Sequence, residues 1–311
     1  MTHSSNALIP IKAGAIAGMA TVRAIKNGEV VRELTFPNLI TDLGLERLAT
    51  LSSNSIYEYC QVGTGSTTPA FSDTQLTTFV SAQGRTASTS FSGSSPLWFS
   101  TLRQTYTWAV GAAVGNFTEL GLAATGISTS GLFTHALFVD GGGSPVAFPV
   151  LIDEQLQVIY DLRLYPNLTD QLATVTVGPN SHDTITRPSQ VTNFGWGLRS
   201  SGSGQGINFA RDSNQNAQRG YTNQTLDAVD ATPSGTTVVA STSCNSVAYV
   251  AASLERASNM IWAPDKGNIP VIGKVVQAYL CSIWQTRYDP PLAKTDLQTL
   301  TLGFKVSWTR Y

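Results

Sequence analysis

Glycines are spaced for anion binding in one short stretch, CQVGTGSTTPAFSDTQL, which runs from Cys60 to Leu76. A phosphate-binding loop places such glycines between a strand and the first turn of a helix, where backbone N–H groups and the helix dipole meet the anion. Here a strand-like EYCQV precedes Gly63 and Gly65, but the loop holds no lysine, Pro69 interrupts it, and no long helix follows. The stretch is therefore predicted to be a turn and a capped loop that binds no nucleotide.

Candidate catalytic bases are scarce, because the chain has three histidines and no G-x-S-x-G nucleophile motif. His135 lies beside Phe133 and Leu137 in an apolar run, so we expect a hydrogen-bonded histidine in the core or at an interface. His182 precedes an aspartate in a polar stretch and is expected in a solvated loop, and His3 lies near the N-terminus. No catalytic triad is predicted from these residues.

Glycoside cleavage requires two carboxyl groups that face each other across a cleft. Asp153 and Glu154 are adjacent, so in an extended chain they point to opposite faces. Glu119 is alone among apolar neighbours and is predicted to pair with an arginine or a backbone amide. Three further aspartates are expected at the surface: Asp212, Asp227 and Asp230. No acid–base pair is therefore proposed, and the chain is predicted to be no enzyme.

Composition excludes several classes of partner. Of 311 residues, 42% are apolar but only 13% are charged, and the net charge is -1, so no electrostatic footprint for nucleic acid or anionic membrane is present. Cys60, Cys244 and Cys281 are odd in number and far apart, which predicts neither a disulfide framework nor a zinc site. We expect no metal, no cofactor and no membrane insertion. Short neutral polar residues replace the missing charges, as is typical of a β-rich protein packed among neighbours.

The elements that must position these residues are mainly strands. Asn27-Gly28 lies between two β-prone runs and predicts a hairpin. TDLGLERLATL predicts one short helix near the N-terminus, with Thr41 or Asp42 as its N-cap. LQVIYDLRLY alternates as a strand with one apolar face. The predicted fold class is therefore mainly β, with two β-sandwich-like domains and a short helix near the N-terminus.

Domain boundaries follow the polar and proline-rich stretches. Residues 1–16 are predicted to form an N-terminal arm, residues 17–168 a first β domain, residues 169–187 a linker, and residues 188–311 a second β domain. In the arm, Leu8, Ile9 and Ile11 lack a periodic pattern and are candidates for docking onto a partner; the alternative is a frayed terminus. The ends of the two halves, FPVLIDEQLQVIYDLRLYP and DPPLAKTDLQTLTLGFKVSWTRY, also share spacing that favours a duplication over chance similarity.

Aromatic residues are a further candidate for function. Trp196, Trp262 and Trp284 lie in aromatic clusters of the second half. Such side chains stack on sugar rings or anchor subunit interfaces, and in β proteins they commonly fill the core. The three tryptophans are therefore candidates for an interface or for a glycan-facing surface, with the core as the alternative.

Four phrases occur in an order that resembles structural proteins of bacteriophage tails. They are NLITDLGLERLA, VGTGSTTPAFSDTQL, TELGLA and LFTHALFVDGGGSPVAFPVLIDEQLQVIYDLRLYP, and together they span Asn38 to Pro166. The ending KTDLQTLTLGFKVSWTRY also resembles a strand of tail-fibre and related virion proteins. The resemblance carries no catalytic residues, and the second half of the chain is less similar.

The resemblance implies a non-enzymatic tail or neck fibre subunit, or a tail-attached adaptor, located in the virion and in the host cytoplasm during assembly. Its partners would be copies of itself, a trimer by resemblance to fibres, and other tail or connector proteins. Two alternatives remain open: a module that binds host-surface glycan, and a polysaccharide depolymerase.

Overall fold

Long β-strands dominate the chain in a computed structural model, which describes residues 2–4, 8–50, 57–93, 98–189, 218–236, 243–279 and 282–311. The one helix of the described residues, α1, spans Asp42–Thr50. The strands of the described residues are β1 (Thr2–Ser4), β2 (Ile9–Lys26), β3 (Glu29–Ile40), β4 (Tyr59–Gly63), β5 (Phe79–Gly93), β6 (Phe99–Thr107), β7 (Gly115–Phe117), β8 (Glu119–Ala123), β9 (Leu132–Leu137), β10 (Phe148–Val150), β11 (Gln155–Pro166), β12 (Gln171–Val177), β13 (Asn180–Ser189), β14 (Gln218–Tyr221), β15 (Ser243–Ser246), β16 (Glu255–Trp262), β17 (Ile272–Tyr279), β18 (Ser282–Leu292) and β19 (Thr299–Arg310).

Local sequence signals position the first elements as predicted. Asn27 and Gly28 both have positive φ, 53° and 85°, which is the backbone that a tight hairpin between β2 and β3 requires. Thr41 is the N-cap of α1, because its Oγ1 accepts the Gly44 N–H at 3.0 Å. Within the described part of the chain, α1 included, no helix has the length and apolar character needed to cross a membrane.

Eight antiparallel strands close into a barrel. The order is β2-β3-β9-β8-β4-β5-β6-β11, and β11 then pairs with β2 from Gln155↔Ile25 to Pro166↔Gly14, which completes the ring. Alternate side chains point inward, so the apolar face predicted for β11 lines the interior with Leu156, Val158 and Tyr160. The interior is thus filled by side chains.

The described residues are mainly β with one short helix, as predicted, but an eight-stranded closed barrel stands in place of the two predicted sandwich domains. The period-two pattern is the same in both architectures, because each buries one face of every strand. What differs is the pairing of β2 with β11, which joins residues 130 positions apart at Gln155↔Ile25 and 152 positions apart at Pro166↔Gly14. That pairing leaves no signature in any local window of sequence.

The first half of β2 continues beyond the barrel and starts a second group of strands. Residues 9–16 pair in parallel with β19, which pairs in turn with β16 and β1, and β16 pairs with β15. A separate five-stranded sheet follows the order β12-β13-β18-β17-β14. Buried side chains of both groups, including Phe304 and Trp284, belong to one continuous apolar core with the barrel.

Three organisational predictions are corrected by these pairings. Of the predicted arm, residues 2–4 form β1 and residues 9–16 belong to β2, where Ile9 and Ile11 are fully buried and pack in their own core, whereas Leu8 before β2 is exposed. The predicted linker, residues 169–187, is mostly the hairpin of β12 and β13. The predicted second domain, residues 188–311, shares a sheet with the first through the pairing of β19 with β2.

The similar ends of the two halves do not occupy equivalent places. β11 and β19 each have twelve residues and both pair with β2, but β11 is antiparallel to it and β19 is parallel. At Gly14–Ile16 they pair with β2 simultaneously, so they lie on its two opposite edges. The arrangement gives no support to a duplicated domain.

Candidate functional site

The glycine-rich loop that follows β4 binds an anion, and the anion is a carboxylate of the same chain. Glu119, at the start of β8, is fully buried. Its Oε1 accepts backbone N–H groups of Gly65 at 2.9 Å and Thr78 at 2.7 Å, and its Oε2 accepts the N–H of Thr77 at 3.1 Å. The loop therefore has the anion-binding geometry that its glycines suggest, but the site is filled from within.

Glycine is required at two positions by the approach of this carboxylate. A Cβ added at Gly65 would lie 2.4 Å from Glu119 Oε1, and one added at Gly63 would lie 2.6 Å from the same atom. Both distances are shorter than side chains tolerate, so any larger residue would displace Glu119 or the loop. The prediction that no nucleotide binds here stays a prediction, and the geometry gives the glycines a structural reason.

His135 extends the site from β9 and connects Asp73 in the loop to Glu119 on β8. Its Nε2 lies 3.0 Å from Glu119 Oε2, and its Nδ1 lies 2.7 Å from Asp73 Oδ2. A histidine whose two ring nitrogens both face carboxylates donates from both when it is an imidazolium. We name this group of Glu119, His135 and Asp73 the carboxylate–histidine latch. The prediction that His135 is a buried, hydrogen-bonded histidine is confirmed.

The electrostatics of the latch favour the charged forms. Burial raises the pKa of Glu119, but the hydrogen bond to His135 and the three backbone amides outweigh burial and hold the pKa at about 2. Burial lowers the pKa of His135, but the hydrogen bonds to Glu119 and Asp73 outweigh it and raise the pKa above 6.5. An ion pair with hydrogen bonds on every side is therefore maintained inside the protein.

This arrangement holds a loop and leaves little capacity for proton transfer. Both ring nitrogens of His135 and both oxygens of Glu119 are occupied by the contacts above. Among the described residues, no Ser, Thr or Cys side chain is hydrogen-bonded to either group. A histidine can act as a base only with a free nitrogen that faces the proton to be removed. The latch is thus suited to closing residues 64–78 onto β8 and β9.

Because of the latch, the stability of the closed loop is expected to fall both at low pH and at high pH. Glu119 stabilises the folded loop fully above pH 4.5, its ordinary pKa, and that contribution is lost as the pH falls towards 2. His135 contributes fully below pH 6.5, and its contribution is lost as the pH rises through the raised pKa. We expect the backbone amides of Gly65, Thr77 and Thr78 to be most protected between about pH 4.5 and 6.5.

Hydrogen exchange of these three amides, corrected for the intrinsic rate at each pH, checks this expectation. The variant His135→Gln cannot carry a charge and serves as the control, because it should lose the alkaline decline and keep the acidic one. Equal protection from pH 4 to pH 10 in the unaltered protein would contradict the assignment of His135 as an imidazolium.

The two candidate tryptophans that the structure describes do not form a glycan-binding surface. Trp262 on β16 and Trp284 on β18 are both fully buried in the core, and Trp196 lies outside the described residues. Their large apolar area, not a ligand, accounts for their position. The alternative that the sequence left open, that these side chains fill the core, holds for both described tryptophans.

Two polar residues expected at the surface differ from that prediction: His182 is buried, and Asp227 is partly buried against a buried lysine. His182 belongs to β13, is 4% exposed, and its Nδ1 lies 2.6 Å from the Pro290 carbonyl oxygen. Asp227 bonds the fully buried Lys274 of β17, with 2.5 Å between Oδ2 and Nζ. One feature of the sequence could have indicated the Asp227–Lys274 pair. Lys274 lies inside the apolar run VIGKVV, and a buried lysine is rarely found without an acidic partner.

Asp153 and Glu154 lie in a turn closed by the Glu154 N–H and the Leu151 carbonyl, so the extended backbone on which the prediction depended is absent, and the two side chains differ in burial and partner. Asp153 is exposed and pairs with Lys26, whereas Glu154 is buried and pairs with Arg32. The two carboxyl groups therefore do not face each other across a cleft.

Comparison with known proteins returns no relative. No protein-family model matches the chain, no curated protein matches it, and no solved structure matches it. Any statement about function therefore rests on the residues, the fold and the resemblance of the four phrases.

Proposed function

We propose that the chain is a non-enzymatic structural component of a tailed-phage virion, either a tail or neck fibre subunit or a tail-attached adaptor. Its location would be the tail or neck of the particle, and the host cytoplasm during assembly. It would act by occupying its place through shape and contact area, with other tail or connector proteins and copies of itself as partners.

One observation carries the proposal: the four phrases that resemble tail proteins come together in space. Thr41 Oγ1 donates to the Leu132 carbonyl at 2.7 Å, which joins the first phrase to the fourth. The Asp42 N–H donates to the Phe71 carbonyl at 2.8 Å, which joins the first to the second. The latch joins the second, third and fourth.

The chemistry of this junction favours a structural role over an enzymatic one. Glu119 and His135 are the groups that could exchange protons, but both are hydrogen-bonded within the chain and buried from solvent. The four phrases that resemble tail proteins are therefore connected by hydrogen bonds between a helix, a loop and two strands. Such bonds produce a rigid subunit and need no substrate.

The rival functions lose support from the same contacts. A glycan-binding surface would need exposed aromatic side chains, and both described candidates are buried. A depolymerase would need two carboxyl groups that face each other across a cleft, whereas Glu154 is buried against Arg32 and Asp153 is exposed and paired with Lys26. Trimeric assembly remains a part of the proposal that comes from the resemblance to fibres.

Immunogold labelling of purified phage particles that encode this chain tests the proposal. Antibodies raised against the folded protein are expected to decorate the tail or neck in electron micrographs, and the chain is expected in the protein content of gradient-purified particles. A chain found only in infected-cell lysate and absent from purified particles would overturn the proposal. Hydrolysis of host polysaccharide by the purified protein would overturn its non-enzymatic part.

A further inference from the structure

An exposed apolar surface covers the end of the barrel where β2 turns into β3. Six aliphatic side chains are between 44% and 72% exposed there: Val30, Val31, Val110, Val114, Leu151 and Ile152. They come from three segments, the hairpin, residues 109–114 and residues 151–152. We call this surface the barrel tip.

Hydrogen bonds fix the three segments against one another. Gly111 N–H donates to the Glu154 carbonyl at 3.0 Å, which ties residues 109–114 to the start of β11. Arg32 Nε donates to the Pro149 carbonyl at 3.2 Å, and its Nη2 pairs with the buried Glu154 carboxylate. That carboxylate also accepts the Leu151 N–H at 2.8 Å. The backbone that carries the apolar side chains is therefore held in place by hydrogen bonds between the segments.

The size of the barrel tip matches one half of a protein–protein interface. From these exposed fractions the six side chains present roughly 500 Å² of apolar surface, near the upper end for the largest patch on a monomer. A standard interface buries about 800 Å² per partner, of which roughly 60% is apolar. The six side chains therefore supply roughly the apolar part of one such half.

The charged residues around the barrel tip are complementary to those of a second copy of the same surface. Lys26 and Asp153, 43% and 52% exposed, form a pair at 2.7 Å, and Arg32 and Glu154 form a second pair beside it. Glu29 in the hairpin adds one negative charge. A rim with both signs neither attracts a strongly acidic nor a strongly basic partner, but two copies related by a two-fold axis can place Lys26 opposite Asp153.

We infer that the barrel tip packs against the barrel tip of a second copy of this chain. The inference rests on the proposed function in that copies of the chain are partners there, and it names a two-fold contact that joins two copies, separate from the three-fold contact of a fibre-like trimer. Apolar burial supplies the attraction, and the rim pairs set the orientation. Because no backbone rearrangement is needed, the contact forms between folded subunits.

Light scattering and sedimentation equilibrium of the full chain, from low micromolar to several hundred micromolar, test this contact. The unaltered protein is expected to associate, and Ile152→Asp combined with Val110→Asp should weaken association at least about tenfold, because each places a charge in the apolar centre. Leu172→Asp is the matched control: Leu172 is 75% exposed on β12, away from the tip, and the variant should associate as the unaltered chain does. All these side chains are exposed, so the thermal midpoint should change little.

The outcomes separate this contact from the proposed function. A protein that stays monomeric at every concentration, or an oligomer that survives both tip substitutions, overturns the tip-to-tip contact. Labelling of the tail in purified particles would then leave the virion role standing with a different binding surface. An oligomer lost in the tip variants and retained in Leu172→Asp supports the contact, even where particle labelling fails.

Discussion

Replacement of Glu119 by alanine is expected to lower the free energy of unfolding by about 3–5 kcal/mol, because it removes the acceptor that the loop and His135 share. Three backbone amides, those of Gly65, Thr77 and Thr78, lose their partner at once. His135, which is 1% exposed, keeps Asp73 alone to balance an imidazolium. The chain must therefore either leave three amides and the Nε2–H of His135 without an acceptor or open the loop.

Urea denaturation followed by tryptophan fluorescence measures this loss, and limited proteolysis reports whether residues 64–78 become accessible. Glu119→Gln keeps the shape and one carbonyl acceptor, so its expected loss is smaller, roughly 1–3 kcal/mol. Glu33→Ala is the surface control: it breaks an exposed pair with Arg23, for which we expect less than about 1 kcal/mol. A Glu119→Ala protein as stable as Glu33→Ala would show that the latch does not hold the loop.

Local signals in the sequence were sufficient where one short segment determines the structure. The Asn27-Gly28 turn, the Thr41 N-cap and the inward face of β11 depend on residues a few positions apart. The glycine-rich loop was predicted to be a capped loop on similar grounds, because it lacks the lysine and the helix of a phosphate site. Its actual ligand, Glu119, lies 54 positions from Gly65 and was beyond that reasoning.

Long-range pairing accounts for what the sequence could not supply. Ile9 and Ile11 alternate with the exposed Pro10 and Lys12, but the run is too short to identify a strand by itself, and its partners lie in β19, nearly 300 residues away. A strand with one apolar face can belong to a sandwich or to a barrel. The closure of the barrel by β2 and β11 can therefore be predicted only when the pairing of the strand edges is known. The barrel tip was missed for a related reason: its three segments become one surface only after the barrel closes.

Lys274 and Asp227 illustrate a site that sequence spacing could not assemble. The ammonium group of Lys274 is fully buried in the five-stranded sheet, where the Thr225 carbonyl lies 2.8 Å away and the Tyr221 ring centroid 5.3 Å away. Asp227 is its only carboxylate partner among the described residues, at 2.5 Å. The same carboxylate accepts the N–H and Oγ–H of Ser234, so it organises the segment after β14 as well. Burial raises the pKa of Asp227, but the bonds to Lys274 and Ser234 outweigh burial and lower it.

Asp227→Ala is therefore expected to destabilise the protein by about 3–5 kcal/mol, since it leaves an uncompensated ammonium group inside a sheet. Lys274→Met is expected to lose less, about 1–2 kcal/mol, because the remaining carboxylate keeps its bonds to Ser234 and is 14% exposed to solvent. Combining the two substitutions should restore at least about 2 kcal/mol relative to Asp227→Ala, because the unpaired charge is then absent. Urea denaturation of the four proteins gives this coupling energy directly. If the losses of the two single variants simply add, the ammonium of Lys274 does not depend on Asp227, and the segment after β14 must be held by its apolar contacts.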